Sequence, residues 1–209
     1  MNKATRIAAS ALGVYAGLLG MVHGLYEVLR GEFRPESLIF NAIGPPCVAS
    51  ETASACLPAM TVIPNFQVTS LLTILVGLTM VVWAAAFIHR KHGGLVMVLL
   101  SISLLLVGGG FIPPIIGLLS GAIASRINAA LFWRRPLFSE RASHNLVRLW
   151  PWTLVVYFSW ILLQLMIGPV FTEFVLKNGS LFLFIEFGLL VLVVLSAFTF
   201  DMKSMSGVD

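Results

Sequence analysis

Apolar residues in this chain come in runs of roughly 20, long enough to cross a hydrocarbon core about 30 Å thick at about 1.5 Å per residue. No other feature limits the fold as much. A chain in lipid must satisfy its backbone N–H and C=O groups internally, which leaves helices and closed barrels. Long apolar runs without period-two alternation select helices. Composition agrees with this. The chain is 58% hydrophobic and 11% charged, whereas a soluble domain carries about 45–50% apolar and about 25% charged residues. The expected fold is an all-α integral membrane protein, a bundle of about six transmembrane helices forming a single domain over residues 1–209.

The expected spans cover residues 6–29, 66–88, 95–109, 113–130, 152–172 and 181–200. An outer loop, 30–65, holds five prolines. An inner basic loop covers 131–151. The start of the chain looks like a signal sequence, with a short basic region before apolar residues. The apolar run continues to Leu29 with no small-x-small cleavage site, so an uncleaved first helix is expected.

The stretch 95–132 decides the span count. As one helix it would be about 57 Å long. Pro113 and Pro114 would remove two backbone donors from its middle. Three glycines, Gly108 to Gly110, stand just before them. Proline suits the first turn of a new helix. The GGGFIPP segment therefore reads as the turn joining the third and fourth spans. The rival reading makes Gly108–Gly117 a re-entrant segment buried by protein.

Charge supports an even number of crossings. With six spans and both termini cytoplasmic, only Arg30, Arg34 and Lys177 among the 13 Lys and Arg residues lie outside. Five spans give a poorer split in either orientation, against the positive-inside rule. The expected location is the plasma membrane of a prokaryote. The formal net charge of +4 is explained by these loops, and no nucleic-acid module is read.

Ionisable residues inside spans are the candidates for function, because each costs about 2.5–3.5 kcal/mol at a helix centre on insertion scales and needs a partner. His23 and Glu27 stand four apart, on one helical face. Glu186 lies about 9 Å below the outer end of the last span. One reading is an outward-opening polar pocket of His23, Glu27 and Glu186 for a cation, a proton or a metal. The other is a structural hydrogen-bond pair fixing the first span to the last. Catalytic residues are not assigned, no metal site is assigned, and no cofactor is expected. Only His23 is convincingly inside a span among the histidines, which argues against several haems held by axial histidines.

Cys47 and Cys56 are the only cysteines and fall in the outer loop. A disulfide stapling that loop is one reading, and two free thiols another. The C-x8-C spacing is unlike a C-x-x-C redox pair. Glycines at 13, 17, 20 and 24, and at 117 and 121, mark helix faces that permit close approach. They serve packing within the chain or a homo- or hetero-oligomer. The lipid bilayer is the expected partner. There is no P-loop, H-E-x-x-H or dinucleotide fingerprint. The residues support a non-enzymatic subunit, scaffold or assembly factor. The alternatives are a small proton- or ion-coupled transporter or channel, and a membrane enzyme acting on lipid or quinone.

Overall fold

The computed structural model describes residues 1–29, 37–41, 58–129 and 139–206. Among these the chain is almost entirely helical. In order the elements are α1 (Lys3–Leu29), β1 (Ile39–Asn41), β2 (Pro58–Met60), α2 (Phe66–Val82), α3 (Gly93–Leu106), α4 (Ile112–Ala124), α5 (Glu140–Leu149), α6 (Trp152–Val170), α7 (Thr172–Lys177) and α8 (Gly179–Ser206). Three helices are long and apolar enough to cross a membrane: α1, α2 with its continuation to Phe87, and α8. A fourth candidate joins α5 to α6 across a 57° bend. The all-α membrane class follows. The shorter apolar helices α3 and α4 have 14 and 13 residues, about 20 Å each.

Two compact units are present. One comprises Ala9–Ser125, and the other Met1–Ala8 with Arg126–Asp209. In the first, α2 opens on Asn65, whose side chain accepts from the backbone N–H of Gln67 and Val68, the N-cap arrangement. A single π turn, Trp83–Phe87, follows α2. Ser10 donates to the Ala84 carbonyl there at 2.7 Å. α3 and α4 form a tight hairpin, and a Cβ on Gly94 would lie 2.7 Å from the Ser125 nitrogen. α4 starts with prolines in its first turn, as expected of a new helix.

The connection between α1 and α2 contributes a small two-stranded antiparallel ribbon, with Ile39 opposite Met60 and Asn41 opposite Pro58. Thr61 continues it as a bridge to Val107. The N–H of Val62 donates to the Leu106 carbonyl at 3.0 Å. β2 thus stitches this loop to the end of α3.

In the second unit, Thr153 of α6 and Ser196 of α8 share a hydrogen bond at 2.8 Å. Asp201 of α8 closes the N-terminus of α1. It accepts from the N–H of Ala4 at 3.1 Å and the N–H of Thr5 at 2.7 Å. Asn2 donates to the carbonyls of Arg126 and Ala129. The start of α1, the turn after α4, the start of α6 and the end of α8 therefore share one end of this unit. The stretch 131–151, read from sequence as a basic loop between spans, contains the helix α5. Ser139 caps it by accepting from Ala142.

Candidate functional site

The α1 residues around His23 lie deep because small residues on the same face allow it. A Cβ on Gly20 would meet Leu104 at 2.7 Å, and one on Gly24 would meet Ile74 at 2.8 Å. His23 is 6% exposed and Glu27 fully buried, while Leu25 is exposed on the opposite side of the helix. The i,i+4 relation puts the imidazole and the carboxylate on one buried face.

The roof over that face is the turn between α3 and α4. Gly108 has φ +102° and Gly110 φ +75°, left-handed conformations that glycine adopts without a Cβ penalty. The need for glycine is also steric. A Cβ on Gly110 would stand 2.6 Å from both Cε1 and Nε2 of His23. A Cβ on Gly108 would overlap Oε1 of Glu27 and lie 2.6 Å from Cγ2 of Thr69. The bare backbone of the turn therefore sits directly on the imidazole and the carboxylate.

Hydroxyls hold the roof in place. Thr73 donates to the Val107 carbonyl. The Thr61 and Thr69 hydroxyls are 3.1 Å apart, and Thr69 also donates to the Ile63 carbonyl at 3.3 Å. Thr61, Thr69 and Thr73 are all buried. The site is thus built by α1, α2, the turn and the residue after β2. Nδ1 of His23 is buried and has no hydrogen-bond partner among the described residues. A buried imidazole nitrogen left open costs free energy, so this is the atom at which a proton donor or a small cation would gain most.

Glu186 lies in the other unit. Its carboxylate accepts from Nε2 of Gln164 on α6 at 3.5 Å. One turn earlier on both helices, Trp160 stacks on Phe182 with ring centroids 5.4 Å apart. So the structure brings His23 and Glu27 together under the glycine turn and gives Glu186 a partner on α6. Cys47 and Cys56 lie outside the described residues. No group of three or more His, Cys, Asp or Glu side chains placed to hold a metal occurs among the described residues.

The three threonines, Gln164 and Asp201 were not singled out from sequence. Thr69 and Thr73, four apart in an apolar span, carried a usable signal, since they share a face as His23 and Glu27 do. An acid at the end of the last apolar run was a second signal.

The chain matches no protein-family model, no curated protein and no solved structure.

Proposed function

We propose that the chain is a polytopic integral membrane protein of a prokaryotic plasma membrane, with both termini cytoplasmic, working as a non-enzymatic subunit, scaffold or assembly factor. The observation that carries this reading is how its buried polar side chains are used. Most of those that are hydrogen-bonded among the described residues tie one backbone segment to another. Asp201 ties α8 to α1, Ser120 ties α4 to the Ala9 carbonyl at 2.7 Å, Thr73 ties α2 to the turn and Thr153 ties α6 to α8. Such bonds rigidify a framework and leave its lipid-facing surface apolar.

The proposed topology has six membrane-entering segments. The clustering of Ala4, Asn2, Arg126 and Asp201 at one end of their unit supports an even number of crossings. The turn of the α3–α4 hairpin meets α1 at His23 and Glu27. The bilayer is the proposed immediate partner. An oligomer through the glycine-rich faces would have to displace intrachain packing, since a Cβ on Gly17 would meet Val81 and one on Gly13 would meet Ala84.

A second reading, a small proton- or ion-coupled transporter, is favoured by the open Nδ1 of His23. One experiment separates the two. Protein purified in mild detergent is measured for bound metal and small molecules and then reconstituted into liposomes loaded with a pH dye. The framework reading expects proton and potassium leak equal to that of empty liposomes and full stability of Glu186→Gln. A flux that disappears in His23→Ala would replace it with the transporter reading.

A further inference from the structure

α5 is strongly amphipathic, and its two faces divide cleanly. Ala142, Ser143, Leu146 and Val147 are half-buried, whereas Arg141, His144, Asn145 and Arg148 are exposed. α5 packs along α8, which accounts for the half-buried side. At 100° per residue, Arg141, His144 and Arg148 fall on one stripe, with the two guanidinium-bearing positions about 10.5 Å apart along the axis. Neither arginine forms an ion pair among the described residues, and the sole acid of the helix, Glu140, sits in its first turn.

The helix is also placed where a bilayer surface would be. It turns 57° away from α6 at Trp150 and Pro151. α6 begins at Trp152, which is 66% exposed, and runs apolar from there. Tryptophan at the end of an apolar helix belongs at headgroup depth. With α6 taken as a span that starts at Trp152, α5 leaves the line of that span at the end where its apolar run begins. Lys3 and Arg126, both exposed, lie at the same end of this unit, because Asn2 binds the Arg126 carbonyl and Asp201 holds the start of α1.

We propose that the Arg141–Arg148 stripe of α5 is a docking surface for the headgroups of anionic phospholipids. Guanidinium forks match phosphate geometry and carry a fixed charge. A basic stripe beside an interfacial tryptophan is the arrangement that draws acidic lipids to a membrane protein. The occupant is a lipid because the stripe is exposed at the level where α6 enters the apolar layer. The proposal rests on the membrane reading above and adds to it a chemical preference among lipids.

The test is native mass spectrometry of the full chain released from mild detergent, with phosphatidylglycerol or phosphatidylcholine added at equal concentration. The expected result is retention of phosphatidylglycerol at least tenfold above phosphatidylcholine, unaffected by inorganic phosphate. Arg141→Gln with Arg148→Gln lowers that retention about tenfold, while Lys177→Gln leaves it unchanged. Unaltered circular dichroism and thermal midpoint show that the double variant is folded. Equal retention of the two lipids, unchanged retention in the double variant, or displacement by phosphate alone overturns the proposal. Resistance of the chain in native membranes to carbonate extraction is scored separately. A chain that resists extraction but shows no lipid preference sinks this inference and leaves the membrane reading standing.

Discussion

Asp201 and Thr5, 196 residues apart, are joined twice: the carboxylate accepts both the N–H and the hydroxyl of Thr5, each at 2.7 Å. The first N–H groups of a helix lack intrahelical acceptors, and the cap usually comes from the residue just before the helix. Here it comes from the other end of the chain. Asp201 is 5% exposed, so truncating it strands buried donors. Asp201→Ala is expected to destabilise the fold by about 3 kcal/mol, the cost of losing buried hydrogen bonds to a charged acceptor. Asp201→Asn keeps an acceptor oxygen and loses less. Thermal unfolding in detergent measures both, and an unchanged midpoint for Asp201→Ala would show that the cap carries no stability.

The glycine turn supports a sharper test. Gly110→Ala is expected to cost more than the about 1–2 kcal/mol of the left-handed backbone alone, because the new methyl also meets the His23 ring. That second part depends on the ring. In a His23→Ala background the same substitution is expected to cost less, leaving a coupling of about 1 kcal/mol. A double-mutant cycle read by thermal unfolding checks this. Strict additivity would mean that the turn and the ring do not touch.

How much of this was legible in the sequence differs from element to element. The turn was readable because Gly108–Gly110 and Pro113–Pro114 are local signals with one physical meaning, a helix that cannot continue and another that can begin. The shared face of His23 and Glu27 was readable because i,i+4 geometry needs no knowledge of the fold. The Asp201 cap was not, since nothing local connects residue 201 to residue 5. The ribbon escaped because three-residue strands carry no periodicity. α5 escaped because its charged residues, taken without phase, look like a solvated basic loop. Ser139 with Glu140 in the first turn and Arg148 in the last was a complete set of helix-end signals. Gln164 could not be matched to Glu186 without the register of α6 against α8.

Cys47 and Cys56 are expected to be disulfide-bonded in the protein as made in an oxidising compartment. The loop they would close lies between β1 and β2, whose pairing already brings Asn41 opposite Pro58. Closing a loop of this length contributes about 2–3 kcal/mol by chain entropy. A mobility difference between reduced and non-reduced gels after thiol alkylation, absent in Cys47→Ser, checks it. Two alkylated thiols in the untreated protein would show the pair to be free.

The topology is testable at single residues in a chain made free of native cysteines by Cys47→Ser and Cys56→Ser. Leu38 is 62% exposed beside the ribbon, and His92 lies exposed in the turn between α2 and α3. In the proposed topology one crossing, α2, separates them. Leu38→Cys is therefore expected to react with an impermeant maleimide added to intact cells. His92→Cys and Ser139→Cys are expected to react only after the membrane is opened. The hairpin of α3 and α4 adds the finest point. Its helices are about 20 Å long against a hydrocarbon layer of about 30 Å, and its tip lies under the ribbon through the Thr61–Val107 bridge. Phe111→Cys is expected to react from outside more slowly than Leu38→Cys, since Phe111 is half-buried where Leu38 is exposed. Equal rates at the two positions would make the hairpin a full crossing with an open outer turn. Labelling of Ser139→Cys in intact cells would reverse the orientation and move the basic stripe of α5 to the outer face.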